Sequence, residues 1–412
     1  MAATNARPAG LSGALALIVA AAVLVPAAAQ QPPQGRFRSA VNLLALDVQV
    51  IDRNGDPLIG LLPDDFIVSI NHRERRVASA ELVHFGTTTT TTLPNIGPAA
   101  PISTPGAISP DSRVFVLAID DASFATGAMR PALLAAQRFL RNLRPADMAG
   151  VYRFPYEPPQ VDITHDHEAV ARSLDGPHGR REDRIDAFAL RPSEIIDITA
   201  GDNDVVQRVA RRECSPDDGN CPGIIRSEAS MAAAYYETDA AQRLYSLGAL
   251  IQDLGRLPGH KNVILISGGL LATNRVGGRP DVRGFMTRLG EQAARANVTT
   301  YVLHMDDTFN ELTSVARPPR RPTDQANSLM ADGQAFASGL ENLAGETGGV
   351  YLATRAGTGD LAFGRVLKET LAYYLVGVEP GPEDLDGRKL MVEVKTRAKG
   401  ATVRALREVI AR

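Results

Sequence analysis

The sequence predicts an α/β fold: a doubly wound, mostly parallel sheet covered by helices on both faces, with a small flanking β-sandwich-like unit. Two apolar runs, residues 114–119 (VFVLAI) and 262–266 (NVILI), have the unbroken hydrophobicity of strands buried on both faces. Between them, residues 240–254 carry leucines and isoleucines at helical spacing. Apolar strands that alternate with helices are typical of parallel sheets, because each return to the same edge needs a crossover.

Residues 1–29 have the three-part layout of a secretory signal peptide. Arg7 supplies positive charge, residues 11–25 form an apolar run, and Ala27-Ala28-Ala29 offers an A-x-A cleavage site before Gln30. The apolar run nearly reaches the length that spans a bilayer, so a retained membrane anchor is the alternative. The small residues that close the run favour cleavage. We therefore expect an exported protein, periplasmic or extracellular, with no membrane span after signal cleavage.

Residues 41–86 are predicted to form an N-terminal β unit. Alternate positions of its first segment are apolar, the period of a half-buried strand: Leu44, Leu46, Val48 and Val50. Two more strand-forming runs follow at 66–70 and 77–85, with turn signals between them. Residues 87–110 are a run of threonines followed by a Pro-, Gly-, Ser- and Ala-rich stretch. We expect an exposed linker there, because such a composition buries too little apolar surface to offset its ordering entropy.

Residues 111–356 are predicted to form the α/β domain. Its strands are expected at 114–119, 150–154, 262–266, 298–303 and 350–352, and its clear helices at 129–143, 240–254 and 282–296. Insertions are expected near 155–235 and 306–332, since both stretches are longer than usual connections. The C-terminal segment, 357–412, returns to β patterns. We expect it to pair with the N-terminal unit, because neither piece is large enough to stand alone.

The only two cysteines, Cys214 and Cys221, flank a polar, turn-rich loop. In an oxidising compartment this spacing predicts a local disulfide. A metal site is the alternative, but two thiolates with no nearby histidine are too few ligands.

Composition excludes some classes of partner. The net charge is −3, so nothing favours nucleic acid or an anionic membrane surface. The chain has no Trp and only 5% aromatic residues, which leaves little material for base-stacking platforms or for a carbohydrate cleft walled by Trp.

Motifs along the chain resemble a bacterial VWFA-related family of secreted proteins, which carry a von Willebrand factor type A (VWA) domain. The motifs are residues 50–57 (VIDRNGDP) with 60–61 (GL) and 64–66 (DDF), 114–121 (VFVLAIDD) with 145–147 (PAD), 257–269 (LPGHKNVILISGG), 343–349 (LAGETGG) and 373–375 (YYL). Together they cover most of the chain after residue 40. The resemblance implies a Rossmann-like VWA domain that binds an unidentified protein partner, in interaction or adhesion at the cell envelope, and that is not an enzyme.

The resemblance also implies a metal-ion-dependent adhesion site. In VWA domains, D-x-S-x-S after the first strand, a later Thr and an Asp after the fourth strand hold Mg²⁺ or a similar ion through oxygen atoms. Here Asp120, or Asp121 with Ser123, matches the first part, and Thr238 is the candidate for the Thr. Glycines follow Ser267 where the last Asp belongs. The sequence thus predicts a degenerate site for a divalent cation, and no cofactor is certain; the alternative is that the two aspartates form a turn that caps the next helix.

Other candidate chemistry is sparse. His165-Asp166-His167 offers two imidazoles beside a carboxylate, but no third zinc ligand is evident, so a solvated loop or helix start is favoured. No nucleophile-elbow, zinc-protease or phosphate-loop motif appears. Two alternatives to a binding module stay open: an envelope hydrolase that uses His165, Asp166 or Asp120, and a purely structural envelope component.

Overall fold

A computed structural model describes residues 43–85, 112–155, 161–176, 179–181, 187–306, 326–355, 358–385, 388–405 and 408–410. The predicted signal peptide and the predicted linker lie outside these ranges. Within them, no helix combines the length and the apolar character needed to cross a bilayer.

Fourteen strands and eight helices make up the described part of the chain. The strands are β1 (Leu44–Ile51), β2 (Phe66–Ile70), β3 (Arg73–Arg75), β4 (Val77–His84), β5 (Val114–Asp120), β6 (Met148–Phe154), β7 (Val161–Thr164), β8 (Lys261–Ser267), β9 (Val298–Asp306), β10 (Val350–Arg355), β11 (Ala372–Val378), β12 (Lys389–Thr396), β13 (Thr402–Ala405) and β14 (Glu408–Ile410). The helices are α1 (Arg130–Arg141), α2 (His167–Arg172), α3 (Pro192–Thr199), α4 (Asn203–Glu213), α5 (Cys221–Leu254), α6 (Arg283–Arg295), α7 (Ala326–Glu346) and α8 (Gly359–Glu369).

The central sheet has six strands in the order β10-β9-β8-β5-β6-β7. All neighbours pair in parallel except β7, which runs antiparallel to β6 at one edge. Every residue of the central strand β5 is buried, because strands flank it on both sides and helices cover both faces. The predicted mixed α/β fold, with a mainly parallel sheet between helical layers, is confirmed.

Side chains of β5 alternate between two hydrophobic cores, one on each face of the sheet. Phe115, Leu117 and Ile119 pack with α1, α2 and α8. Val116 and Ala118 pack with the second half of α5 and with α6 and α7. The two faces are therefore both covered, as a doubly wound sheet requires.

A β-sandwich is built from both ends of the chain. Its two sheets have the orders β13-β1-β11-β4 and β14-β12-β2-β3. Strand β1 lies between β11 and β13, and β12 pairs with β2, so each sheet joins early strands to late ones. The alternating residues Leu46, Val48 and Val50 face the core between the sheets. Neither chain end could bury these side chains without the other.

One expected helix boundary is wrong. The helix expected to begin near residue 240 begins at Cys221 and runs for 34 residues. The stretch near 155–235 therefore holds α2, α3, α4 and the first half of α5, and residues 326–332 belong to α7. The first half of α5 was missed because its buried positions are mostly alanine, which gives a weak apolar signal: Ile225, Ala229, Ala232 and Ala233.

Helix α5 extends past the carboxyl edge of the sheet. At 1.5 Å per residue it is roughly 50 Å long, whereas a seven-residue strand such as β8 spans roughly 23 Å. Its second half, from Ala240, packs on the sheet and ends at Leu254 near the amino edge. Its first half packs instead with α3 and α4 around a separate core. We call these three helical segments the helical extension: α3, α4 and residues 221–239.

Cys214 and Cys221 lie at disulfide-bonding distance, as predicted, with their Cα atoms 6.4 Å apart. They join the end of α4 to the first residue of α5. The bond therefore fixes two helices of the helical extension to each other.

At the amino edge of the sheet, Asp147 organises a buried ion pair. Its carboxylate accepts hydrogen bonds from Arg113 at 2.6 Å and from Arg144 at 2.6 Å. Arg113 also donates to the Leu367 carbonyl and to the Thr370 hydroxyl, so α8 is tied to the start of β5. Burial alone would raise the pKa of Asp147, but the two guanidinium groups outweigh it and lower the pKa to about 2.

The Asp147 pKa predicts how stability depends on pH. The folded pKa of about 2 lies below the ordinary value of 3.8, so the carboxylate stabilises the fold above about pH 4. This contribution, about 2 kcal/mol, is lost as the pH falls from about 4 to about 2. Urea unfolding between pH 2 and 7 should show that Asp147→Asn lacks this part of the wild-type pH dependence. Asp360→Asn, which removes an exposed partner of Arg138, is the control and should keep it.

Tyr374 connects the two chain ends inside the sandwich. Its hydroxyl accepts a hydrogen bond from the Leu61 amide and donates one to the Leu58 carbonyl, both at 3.0 Å. Tyr374→Phe leaves both backbone groups without this partner, so we expect the free energy of unfolding to fall by about 1 kcal/mol. Chemical denaturation measures the change. An unchanged midpoint would show that solvent replaces the hydroxyl without loss.

Candidate functional site

The carboxyl edge of the central sheet holds three of the four predicted metal-site residues. Asp120 is the last residue of β5, and Asp121 and Ser123 lie in the short 3-10 turn that follows. All three are buried. Ser267, the last residue of β8, lies on the neighbouring strand. Ligands of open parallel sheets bind at this edge, so the geometry of these side chains decides what the site can hold.

Arg243 of α5 is the direct partner of Asp120. Its Nη1 lies 3.0 Å from Asp120 Oδ2 and donates to the Gly269 carbonyl at 2.9 Å. Its Nη2 lies 2.8 Å from the Asp239 carboxylate, one helical turn earlier. The Ser267 hydroxyl donates to the same Asp120 Oδ2 at 2.7 Å. A guanidinium that is itself 5% exposed therefore joins α5, β5 and the loop after β8.

The pKa values of both Asp120 and Arg243 are raised above their ordinary values. Burial raises the pKa of Asp120, and the charge of Arg243 and the hydrogen bond from Ser267 act in the opposite direction. For Arg243, burial would lower the pKa, but the charges of Asp120 and Asp239 outweigh it and raise the pKa above its ordinary value. Arg243 is thus a cation held in place by two carboxylates.

A second arginine holds the second carboxylate. Arg153 of β6 donates to Asp121 Oδ2 from Nε at 2.8 Å, and its Nη2 lies 2.6 Å from the same oxygen. The Ser123 hydroxyl donates to the Asp120 carbonyl at 2.7 Å and accepts the Gly268 amide at 2.8 Å. The Ser123 hydroxyl and one oxygen of each carboxylate are therefore engaged by groups of the protein itself.

Thr238 does not belong to this site. It lies inside α5, is exposed, and its hydroxyl donates to the Ala234 carbonyl at 2.9 Å. The prediction that it is a metal ligand assumed that the helix begins after Thr238, whereas α5 begins at Cys221. Sequence reasoning also missed Arg243, although a signal existed. Arg243 is three residues after Ala240 and four before Leu247, in the buried stripe of the helix.

The residues do not fit the divalent cation that a VWA domain implies. Ca²⁺ binds six or more oxygen ligands, and Mg²⁺ requires a nearly octahedral arrangement of oxygen ligands. Only Asp120 Oδ1 and Asp121 Oδ1 are buried carboxylate oxygens here without a hydrogen-bond partner. Among the described residues, no three His, Cys, Asp or Glu side chains are arranged to hold a metal.

A neighbouring segment covers the edge. The amides of Arg180 and Arg181 donate to the carbonyls of Asp121 at 2.7 Å and Phe124 at 2.8 Å. Gly179, with a φ of 93°, approaches so closely that a Cβ would collide with the Ala125 carbonyl. The backbone of residues 179–181 thus packs against the turn, and the side chains of Asp120 and Asp121 are buried.

The other predicted chemical groups lie at the opposite edge of the sheet. The rings of His165 and His167 both contact the Asp147 carbonyl, at 3.1 Å and 2.8 Å. Asp166 caps α2 by accepting the Ala169 amide. Strand β6 separates this group from Asp120, which pairs with the far end of that strand. The structure therefore does not bring His165 or Asp166 together with Asp120.

The helical extension presents an exposed apolar face beside the covered edge. Ile224, Met231 and Tyr235 are 50%, 56% and 46% exposed. They are seven and four residues apart, so they lie on one side of α5. The loop between β8 and α6 is tied to the same extension by ion pairs of Arg275 with Asp197 and of Arg279 with Glu237.

The buried pair of Arg243 with Asp120 should dominate the stability of this edge. Asp120→Asn removes one of two carboxylates from a buried guanidinium, and we expect a loss of about 3 kcal/mol in the free energy of unfolding. Asp281→Asn is the matched control, since the pair of Asp281 with Arg283 is exposed and contributes at most about 1 kcal/mol. Urea unfolding at neutral pH measures both. Equal effects of the two substitutions would contradict the central role of Asp120.

Comparisons with known proteins identify no family. No protein-family model matches the chain, and no curated protein matches it. Among solved structures it is similar to the crystal structure of the SpRpn10 VWA domain, with 11% sequence identity and a TM-score of 0.25, over 63% of this chain and 96% of that chain. Identity and TM-score are too low for this likeness to carry an argument about family, location or partner. The fold therefore stands on the strand pairing described above.

Proposed function

We propose that the chain is an exported protein-interaction module of the cell envelope, periplasmic or extracellular, and not an enzyme. The signal-peptide layout of residues 1–29 supports export. The cysteine pair at disulfide distance fits an oxidising compartment. Because arginines hold both aspartates among the predicted metal ligands, the interaction we propose is not adhesion through a metal-bridged carboxylate.

The observation that carries the proposal is the apolar face of α5. Exposed hydrophobic side chains scattered singly are ordinary, but an aligned set on a helix suggests a contact surface. Ile224, Met231 and Tyr235 form such a set on a segment whose opposite side is already buried against α3 and α4. Amphipathic helices that bind a groove use anchors at this spacing.

Several contacts hold the helical extension in place, which favours binding. The cysteine pair joins α4 to α5, and Arg212 of α4 pairs with Glu194 of α3 at 2.7 Å. Arg191 pairs with Asp332 of α7 at 2.7 Å, so the extension is also fixed to the main domain. A surface that is already ordered loses little conformational entropy when it binds. We infer that the partner offers an apolar groove to this helix.

Site-specific photo-crosslinking tests the interaction. A photoreactive phenylalanine analogue at position 231 should give one discrete crosslinked species in cells that export the protein. The same analogue at position 361 is the control, since Leu361 is equally a large exposed residue but lies on α8. Adding Ile224→Asp should abolish the crosslink at 231, because a charge would be buried in the contact. Crosslinks that are the same at both positions, or that survive Ile224→Asp, would reject the proposed surface.

Export has its own test. In a bacterial host with a periplasm, the mature protein should begin at Gln30, and mass spectrometry of the intact chain from the periplasmic fraction measures this. Ala29→Asp places a charge next to the cleavage site and should leave the precursor uncut, because that position requires a small residue. A full-length chain that stays in the cytoplasm would contradict export without bearing on the α5 surface.

A further inference from the structure

We propose that Arg243 replaces the divalent cation at the carboxyl edge: its guanidinium is the site's permanent cation. The inference concerns the charge balance of the edge and does not rest on the proposed interaction surface. The groups that would bind a metal ion at this edge are already bound by Arg243.

Arg243 collects oxygen atoms from three separate elements. It contacts Asp120 at the end of β5, the Gly269 carbonyl after β8, and Asp239 on its own helix. Carboxylates and a backbone carbonyl are the ligands that hard cations prefer. One guanidinium satisfies all of them at once, because its donors point outward in a fixed planar fork.

A metal ion and this guanidinium exclude each other. A divalent ion binds carboxylate oxygens at about 2.0–2.6 Å. An ion bound to Asp120 Oδ2 would compete for this oxygen with Arg243 Nη1, which lies 3.0 Å from it, and with the Ser267 hydroxyl, which lies 2.7 Å from it. Two cations around one buried oxygen repel strongly, since water does not screen them there. Arg153 likewise occupies Asp121 Oδ2, so the carboxylate oxygens left without a hydrogen-bond partner are Asp120 Oδ1 and Asp121 Oδ1, and two oxygens are too few for a divalent ion.

Removing Arg243 should recreate a cation site. Without the guanidinium, four oxygen-bearing groups face the same space: the carboxylates of Asp120 and Asp239, the Ser267 hydroxyl and the Gly269 carbonyl. Arg243→Ala should therefore bind a cation that wild type does not bind. It should also accept free guanidinium, which matches the missing group in charge and in shape.

The experiment uses the purified full chain with Mn²⁺ and with low millimolar guanidinium as probes. Electron paramagnetic resonance should show free aqueous Mn²⁺ with wild type and bound Mn²⁺ with Arg243→Ala. Both probes should raise the unfolding temperature of Arg243→Ala, because each binds only the folded state. Neither should raise that of wild type or of Arg226→Ala. Arg226 is the matched control, an exposed arginine on the same helix that bonds to the Pro222 carbonyl and the Asn203 amide oxygen.

Two results would overturn the inference. The first is stoichiometric Mn²⁺ binding by wild type that is lost in Asp120→Asn. The second is an Arg243→Ala protein that is folded by circular dichroism yet responds to neither probe. If Arg243→Ala is recovered unfolded, refolding is repeated with guanidinium present: recovery of the fold supports the inference, and the wild-type Mn²⁺ titration keeps the power to reject it.

Discussion

A buried charge must find a partner, and at the carboxyl edge of the sheet this constraint fixes three elements at once. Arg243 extends from the middle of α5 to Asp120 at the end of β5 and to the Gly269 carbonyl after β8. The contact determines where α5 leaves the sheet, since the helix is tied at that residue and continues past the edge. Arg243 therefore fixes one end of the helical extension, and the pair of Arg191 with Asp332 holds the extension at a second place.

The opposite edge is organised by the same kind of contact. Asp147 pairs with Arg113 and Arg144, and Arg113 also donates a hydrogen bond to a carbonyl near the end of α8. Beyond this edge lies a polar interface with the sandwich. There the Asn297 amide donates to Asp47 of β1 at 2.6 Å, and Tyr301 lies near Gln49. Burial would raise the pKa of Asp47, but His260 and Asn297 outweigh it and lower the pKa, so they favour the charged carboxylate. The hydrophobic cores hold the sheets and helices together, and these polar contacts fix the orientation of the sandwich relative to the central sheet.

Periodicity predicted the fold better than it predicted the site. Apolar runs such as that of β5 identify buried strands because every residue contributes to the signal. The first half of α5 was not predicted, since alanines such as Ala229 and Ala233 bury well without marking a strong stripe. Asp120, Asp121 and Ser123 were correctly placed together, because a strand end fixes them locally. Their arginine partners lie on α5 and β6. No local sequence pattern indicates which arginine will pair with which aspartate.

The sandwich joins residues that are far apart in the chain. Leu44 pairs with Val378, and Val48 pairs with both Tyr374 and Ala405. Strand β1 is among the first described segments to be synthesised, yet its two neighbours are among the last. Until they emerge, an apolar strand has no sheet to join, and such strands pair readily with one another. The order of the strands thus leaves β1 without its two sheet neighbours until late in synthesis, a delay set by topology and not by the strength of any contact.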